Sequence, residues 1–185
     1  MKGSCGDAML TAIILGPPGA GKGTQAKNLA AHAGAIHVAS GDLFRKHQDE
    51  GTELGNLAKE YMEKGELVPD DIVIRMVLDR IGHEDALNGY VLDGFPRTLE
   101  QAQALDCSLE MVGSQIQYVA LVMVETPELE RRLAGRWVCS ACQSPYHEVN
   151  TPPKIHGECD HCHGSLYQRP DDKSESIRRR LEVYR

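Results

Sequence analysis

The chain has 185 residues, a length suited to one core domain with a small insertion. Its composition, 41% hydrophobic and 25% charged, is that of a globular protein, and its net charge of −7 argues against a general nucleic-acid binder. The sequence contains no run of 18 apolar residues, so we expect no membrane-spanning helix, no membrane partner and a cytoplasmic protein.

The first predicted element is a strand that ends in a glycine-rich loop and continues into a helix. The stretch LTAIILGPPGAGKGT, residues 10–24, begins with an apolar, β-branched run, and a helical pattern extends from Lys22 to about residue 33. Three loop glycines lack a Cβ atom, so the backbone N–H groups can turn inward around an anion; these are Gly16, Gly19 and Gly21. The helix N-terminus and the charge of Lys22 favour the same anion. The sequence therefore predicts a site for a nucleoside triphosphate.

This loop departs in one place from the general phosphate-loop pattern G-x-x-x-x-G-K-[ST]. Gly23 occupies the position of the hydroxyl residue, and Thr24 follows one residue later. We therefore expect Mg²⁺ to keep most of its waters and to be anchored through phosphates. The alternative is a glycine turn that joins a strand to a helix without a ligand, but three glycines and a lysine exceed what such a turn requires.

Strands and helices alternate through the rest of the first 135 residues. A second strand is predicted at 36–39 and a third at 90–93, while 117–124 has the continuous apolar pattern of a central parallel strand. Helices are predicted over residues 42–48, 52–64, 71–81, 98–105 and 126–135, with Asp70 as the N-cap of the third. This order predicts an α/β fold with a mostly parallel sheet flanked by helices.

Three polar turns, at residues 16–24, 40–42 and 93–97, each follow a predicted strand. Because ligands of open α/β sheets bind at the carboxyl ends of strands, we expect these turns to meet at one edge of the sheet. With the segments GPPGAGKGT, SGD and DGFPRT, the chain resembles an adenylate kinase from about Leu10 to its last residue. The combination is far more specific than any one segment.

The resemblance implies a monomeric enzyme that transfers a phosphoryl group reversibly from ATP to AMP, with Mg²⁺, giving two ADP. Another acceptor such as UMP or CMP, and a truncated non-catalytic nucleotide-binding protein, remain the alternatives. Thr98 and the long insertion that follows residue 135 favour the adenylate branch. The implied partners are the small nucleotides ATP, AMP and ADP.

The resemblance also implies the roles of particular residues. The catalytic set comprises Lys22, Asp93, Arg97, Arg136, Arg169 and Arg180. ATP is assigned to Gly19, Ala20, Gly21, Lys22, Gly23, Thr24, Arg132 and Arg136. AMP is assigned to Ser40, Arg45, Val68, Gly94, Arg97, Gln101, Arg169 and Arg180, while Asp93 would organise the waters of Mg²⁺. Phosphoryl transfer needs alignment and positive charge, and arginines supply planar forks that hold phosphates.

Several of these side chains could have a simpler role. Arg132 follows Glu128 by four residues and could form an intrahelical ion pair with it. The simpler roles for the rest are a helix cap for Asp93, a solvated helix position for Gln101, a turn cap for Ser40, and surface ion pairs for Arg45 and Arg97.

Four of the six cysteines form two C-x-x-C pairs, Cys139 with Cys142 and Cys159 with Cys162. Their spacing is typical of a tetrahedral zinc ribbon, and a reducing compartment favours metal over disulfide. Four thiolates leave no open ligand position, so the site is expected to be structural, and metal binding would supply the folding energy of a short polar segment. A mixed Cys/His ligand set and a reactive dithiol are the alternatives.

The resemblance implies a core of residues 1–135 and 173–185, an AMP-binding segment at 40–69 within it, and a zinc-bearing lid at 136–172. The last predicted helix, from Ser174, reaches Arg185 without a cap, glycine or proline. Long-lid members of the family continue with a further helix, an edge strand and a final helix. Either the chain is truncated or its end is supplied in some other way, and loss of an edge strand would expose apolar surface on the strand predicted at 117–124.

Overall fold

The structure, a computed structural model, describes residues 9–64 and 66–184. Residues 1–8 of the predicted core and Arg185, the predicted end of the last helix, lie outside these ranges. The chain divides into two compact units. The first unit contains the chain up to Gly16 and residues 21–59 and 68–122. The second unit contains residues 17–20, residues 60–67 and the chain from Met123 onward.

The first unit is built on a four-stranded parallel sheet. Its strands are β1 (Leu10–Leu15), β2 (Ile36–Ala39), β3 (Gly89–Asp93) and β4 (Tyr118–Leu121), in the spatial order β2-β3-β1-β4. Asp93 at the end of β3 is in register with Ala39 of β2 and with Ile14 of β1. The carboxyl ends of these three strands therefore lie at one edge, and the predicted α/β fold with a parallel sheet is confirmed.

Helices flank this sheet and connect its strands. They are α1 (Lys22–Ala33), α2 (Ser40–Asp49), α3 (Glu53–Lys64), α4 (Asp70–Ile81) and α5 (Leu99–Met111), with a 3₁₀ turn at Glu84–Asn88; the second unit takes α3 from residue 60. The buried face of α1 carries Ala26 and Ala30, which pack against Ala12, Ile14 and Val91 of the sheet. Small side chains let this helix approach the strands closely, and the approach places its N-terminus near the carboxyl end of β1.

The position of β4 corrects the prediction of a central strand. It spans four residues instead of 117–124 and lies at the edge of the sheet, with β1 as its neighbour among the described strands. The side chains of Tyr118, Val119 and Leu121 are 65%, 61% and 58% exposed, so the expected exposure of apolar surface is observed. An apolar run shows that a strand can be buried on both faces, but its place in a sheet depends on the strands that pair with it.

Helix boundaries also differ from the predictions. α2 begins at Ser40, so residues 40–42 form the first turn of a helix and not a separate turn. The prediction of Asp70 as an N-cap is wrong, because α4 begins at Asp70 and the preceding Pro69 supplies no side-chain cap. α5 begins at Leu99 with Thr98 as its cap and continues to Met111, beyond the predicted end at residue 105. Ser40 and Asp70, the first residues of α2 and α4, both form hydrogen bonds with residues distant in the chain.

The second unit contains two helices and a small antiparallel sheet. Its elements are α6 (Thr126–Ala134), β5 (Arg136–Cys139), β6 (Pro145–His147), β7 (Leu166–Tyr167) and α7 (Ser174–Tyr184), with a 3₁₀ turn at Pro170–Asp172. β5 lies between β6 and β7. The core of this sheet consists of Cys139, Tyr146 and Cys159, with Trp137 and Leu166 packed against it. Two predicted metal ligands are thus also core residues.

Among the described helices, none has the length and apolar composition that a membrane span requires.

Gly16, directly after β1, is a position where a side chain should be costly. Its φ angle is 144°, and an added Cβ would lie 2.4 Å from the carbonyl oxygen of Val122. We expect Gly16→Ala to lower the free energy of unfolding by about 2–3 kcal/mol, measured by denaturant titration. Gly34→Ala is the matched control, since Gly34 also has a positive φ of 65° but nothing within 4 Å of an added Cβ. Equal losses in the two variants would contradict a steric role for Gly16.

Candidate active site and metal centre

The loop after β1 has the backbone conformation that its glycines favour. Gly16, Gly19 and Gly21 have φ angles of 144°, 83° and 91°. Gly21 is the N-cap of α1, and the first turn of this helix contains no acidic residue, so its positive dipole end is uncompensated by a carboxylate of the same turn. Lys22, the first helical residue, is half-buried and adds a full positive charge. Of the other predicted loop residues, Ala20 is buried, Gly23 is half-buried and Thr24 is exposed.

The carboxylate of Asp93 explains the glycine at position 23. A Cβ on Gly23 would lie 3.1 Å from Oδ2 of Asp93, so a side chain in the first turn of α1 would crowd this oxygen. The same oxygen lies 3.6 Å from Nε2 of His37 on β2, whose side chain is only 12% exposed. Because Thr98 caps α5, the alternative of Asp93 as a helix cap is wrong. The structure places Asp93 directly beside the start of α1.

The carbonyl oxygen of Gly94 joins two of the predicted AMP residues. It accepts hydrogen bonds from the Ser40 hydroxyl at 2.9 Å and from Nε of Arg97 at 2.8 Å. Gly94 has a φ of 74°, and an added Cβ would lie 2.9 Å from both of these side chains. Ser40 is buried and binds across to the residue after β3, so the alternative of a local turn cap is wrong. Ser40, Gly94 and Arg97 therefore form one group at the carboxyl end of the sheet.

Gln101 belongs to a buried polar network and is 1% exposed, so the alternative of a solvated helix position is wrong. Its Nε2 donates to Oδ1 of Asp70 at 2.7 Å, and its Oε1 accepts from the backbone N–H of Arg97 at 2.8 Å. Thr98 donates from its hydroxyl to Oδ2 of Asp70 at 2.6 Å. The network ties the start of α4 to the start of α5, directly after Arg97.

The two remaining AMP candidates of the first unit are Arg45 and Val68. Arg45 on α2 forms an ion pair with Asp42, which agrees with the alternative of a salt bridge, although its side chain is only 19% exposed. Its guanidinium lies against Gly41, where an added Cβ would be 3.2 Å from the nearest nitrogen. Val68 is buried at 5% exposure, immediately before α4.

In the second unit, Asp172 holds two of the predicted arginines. Its carboxylate accepts from Nε of Arg136 at 2.7 Å and from the terminal nitrogen of the same side chain at 2.5 Å, a bidentate pair. Arg180 on α7 also donates to Asp172, at 3.1 Å, and lies 2.9 Å from the carboxylate of Asp171. The Asp172 side chain is fully buried. These contacts fix the positions of Arg136 and Arg180 without a ligand.

Arg132 and Arg169 have different surroundings within this unit. Nε of Arg132 donates to Glu128 at 2.7 Å, the intrahelical ion pair that their spacing allows. Hydrogen bonds from Arg131 and from Arg132 lower the pKa of Glu128 to about 2, so this carboxylate is ionised at neutral pH. Arg169 precedes the 3₁₀ turn, accepts a hydrogen bond from the Asp172 N–H at 3.0 Å and lines a cavity with Gln168 and Lys173.

The four cysteines of the two C-x-x-C pairs are brought together as predicted. All four sulfurs lie within 4.8 Å of one another; Cys139 and Cys162 are 3.4 Å apart, and Cys142 and Cys159 are 3.5 Å apart. A tetrahedral ion with sulfur at 2.3 Å requires sulfurs about 3.8 Å apart, so the cluster matches such a centre closely. Gly164 leaves room for it, because an added Cβ would be 3.0 Å from the Cys139 sulfur. The residues therefore fit a four-thiolate metal site.

The surroundings of Cys159 lower the pKa of its thiol well below the usual value for cysteine. Burial is the largest single influence and raises its pKa, but hydrogen bonds from the Tyr146 hydroxyl and from the backbone N–H groups of His161 and Cys162 together lower the pKa to about 6. Tyr146 lies 3.3 Å from the sulfur, and its oxygen accepts the N–H of Asp160 at 2.7 Å. The donation to Cys159 raises the pKa of Tyr146 to about 12. A thiolate here is the form that a metal requires.

Three side chains that contact predicted site residues were not themselves predicted from the sequence. His37 lies beside Asp93, Asp70 binds Gln101, and Asp172 binds Arg136. For Asp172 the sequence offers a signal, since it follows the predicted site residue Arg169 by three residues; His37 has no spacing signal, and its position beside Asp93 follows from the pairing of β2 with β3. For Asp70 the local pattern pointed to a helix cap, and the true partners are 28 and 31 residues away.

The fold is that of an α/β protein with a glycine-rich loop between its first strand and first helix, a class that includes many nucleotide-binding enzymes. A family model described as adenylate kinase matches residues 14–185. The chain is 50% identical over 172 residues to an adenylate kinase of Desulforamulus reducens, 51% identical over 172 to one of Carboxydothermus hydrogenoformans, and 49% identical over 173 to one of Methanothrix thermoacetophila.

These alignments cover 93%, 93% and 94% of this chain and 81%, 80% and 80% of the respective relatives. The chain belongs to the adenylate kinase family, and the predicted class of enzyme, a nucleoside monophosphate kinase, is confirmed.

Proposed function

We propose that the protein catalyses the Mg²⁺-dependent, reversible reaction ATP + AMP ⇌ 2 ADP. The observation that carries this proposal is the arrangement at the carboxyl ends of β1, β2 and β3. The start of α1, with Lys22, lies beside Asp93. The next residue, Gly94, accepts hydrogen bonds from Ser40 and Arg97 through its carbonyl oxygen. A site for one phosphate chain thus adjoins a site for a second.

On the donor side, the loop from Gly19 to Thr24 binds the phosphates of ATP. Backbone N–H groups at the N-terminus of α1 and the ammonium of Lys22 neutralise the β- and γ-phosphates. Mg²⁺, when bound, bridges the phosphate oxygens and offsets their charge. The carboxylate of Asp93 accepts hydrogen bonds from waters of that ion, and Gly23 leaves room for them. Arg132 and Arg136 complete the ATP site.

On the acceptor side, AMP binds to a larger set of residues, whose arginines hold its phosphate: Ser40, Arg45, Val68, Gly94, Arg97, Gln101, Arg169 and Arg180. The guanidinium of Arg97 starts near the carbonyl of Gly94 and is exposed, so an incoming phosphate can reach it from solvent. No general base is needed, because the attacking group is already an ionised phosphate. The arginines instead stabilise the charge that spreads over the transferred group.

Several of these arginines already have a carboxylate partner that orients them before substrate binds. Arg45 is paired with Asp42, Arg132 with Glu128, and Arg136 with the buried carboxylate of Asp172. Each pair keeps the guanidinium oriented before substrate arrives. A guanidinium has five N–H donors, so an arginine that is paired with a carboxylate keeps donors for a phosphate.

The domain assignments follow from the same proposal. Residues 136–172 act as a lid over the phosphates of ATP, residues 40–69 as the AMP-binding segment, and the rest as the core. Zn²⁺ is the ion proposed for Cys139, Cys142, Cys159 and Cys162, since four sulfurs within 4.8 Å match its tetrahedral thiolate sites. This ion has a structural role only. We further propose that the enzyme acts as a monomer in the cytoplasm.

A coupled assay with ATP, Mg²⁺ and a panel of nucleoside monophosphates tests the reaction. We expect kcat/KM for AMP to exceed the values for UMP, CMP and GMP by about 100-fold or more, because buried hydrogen-bonding groups reject a base that leaves them unpaired. A faster reaction with UMP or CMP would show another monophosphate kinase. Binding of ATP without turnover of any acceptor would show a nucleotide-binding protein without this activity.

A further inference from the structure

The side-chain amide of Gln101 is held in one orientation by two opposite kinds of partner. Its Oε1 faces the N–H donor of Arg97, and its Nε2 faces the Asp70 carboxylate, which only accepts. Rotation of the amide by 180° would place an oxygen against the carboxylate and an NH₂ group against the N–H of Arg97. Since the side chain is 1% exposed, water could not relieve either mismatch. The amide therefore has a single polarity.

Asp70 is held as firmly as the amide that it orients. Its second oxygen accepts from the Thr98 hydroxyl at 2.6 Å, and that hydroxyl in turn accepts from the backbone N–H of Gln101 at 3.1 Å. Both carboxylate oxygens are thus occupied by donors from the start of α5. An asparagine at this position could turn its own amide to match a rotated glutamine, whereas an ionised aspartate cannot.

A fixed polarity changes what Gln101 can recognise. After its contacts with Asp70 and Arg97, the amide keeps one N–H and one lone pair. A freely rotating amide pairs equally well with the N1 acceptor and 6-amino donor of adenine and with the N1–H donor and 6-oxo acceptor of hypoxanthine or guanine. A fixed amide matches only one of these patterns, so the residue that fixes it also sets the choice of base.

We propose that Asp70 is a specificity-determining positioning residue, which selects 6-aminopurine over 6-oxopurine monophosphates by fixing the amide of Gln101. This inference rests on the proposed function, in which AMP binds at Gln101. Asp70 does not need to touch the nucleotide. It acts through Gln101, and the Thr98 hydroxyl keeps it in place.

The test compares AMP with inosine monophosphate, which differs from AMP only at positions 1 and 6 of the purine. Asp70→Asn should lower the ratio of kcat/KM for AMP to that for inosine monophosphate by about tenfold, the effect expected from removing one mismatch in a buried pair. Asp71→Asn is the matched control, since Asp71 is exposed in the same first turn of α4. It removes the same charge near the helix N-terminus and should leave the ratio unchanged.

A double-mutant cycle tests whether Asp70 acts through Gln101. In a Gln101→Met background, Asp70→Asn should change the ratio no further, because the amide is gone. Equal loss of activity with both nucleotides in Asp70→Asn, or a change in ratio that persists in the Gln101→Met background, would overturn the proposal. If Asp70→Asn fails to fold, Thr98→Val weakens the same anchor and should shift the ratio in the same direction; an unchanged ratio would also overturn it.

The proposed function can fail separately from this inference. A wild-type enzyme that prefers a pyrimidine or a 6-oxopurine acceptor overturns both. A wild-type enzyme that prefers AMP, together with an Asp70→Asn variant of unchanged ratio, overturns only the role of Asp70.

Discussion

Lys22→Met is expected to lower the turnover number for ATP and AMP by about 100- to 1,000-fold, while the protein still folds. Removing one preorganised charge from a phosphoryl-transfer site costs about 2.7–4 kcal/mol of transition-state stabilisation, and each 1.36 kcal/mol is a factor of ten. Lys22 is the first residue of α1, and the first turn of this helix contains no acidic residue. Methionine has a similar length and helix propensity, so α1 should be preserved.

The measurement is the initial rate at saturating ATP, AMP and Mg²⁺, with circular dichroism to confirm the fold. Lys27→Met is the matched control, because Lys27 lies on the same helix and is exposed. It should keep the wild-type rate. A Lys22→Met enzyme with a near-normal rate would remove this lysine from the mechanism, and a loss shared by both variants would point to a general effect of charge on α1.

Local patterns were sufficient to predict most elements of the first unit. The strand before Gly16 and the helix after Gly21 follow from a β-branched run and from glycines at positive φ, both of which depend on neighbouring residues. The α/β alternation and the common edge for the strand ends follow from those elements. The edge position of β4 could not be predicted in this way, because the number of neighbours that a strand has is a property of the sheet.

Motifs identified the candidate site residues, but not the side chains that hold these residues in place. Gln101 and Arg136 lie in recognisable segments, whereas the carboxylates that orient them come from elsewhere in the chain. Asp70 is 31 residues from Gln101, and Asp172 is 36 residues from Arg136. Such contacts exist only after folding, and the local pattern around Asp70 pointed to a different role, a helix cap. Sequence patterns therefore do not predict the polar partners that are distant in the chain.

Removal of the proposed zinc ion, or Cys139→Ser, is expected to lower the melting temperature of the protein by about 10 °C or more. The sheet formed by β5, β6 and β7 has strands of only two to four residues, and its buried cluster consists of Cys139, Tyr146 and Cys159. Without the ion, two of these three side chains would be thiols packed against each other with little apolar area. A loss of about 4 kcal/mol, modest for a structural zinc site, corresponds to such a shift for a chain of this size.

Calorimetry of the chelated and metal-loaded protein, together with zinc analysis, provides the measurement. Cys107→Ser is the control for cysteine substitution as such, because Cys107 is exposed on α5 and lies outside the cluster. It should melt like the wild type and keep one zinc per chain. A metal-free protein with the same melting temperature would contradict the structural role. A protein that keeps its stability but loses turnover would instead assign the ion to catalysis, which four thiolate ligands with no open position do not support.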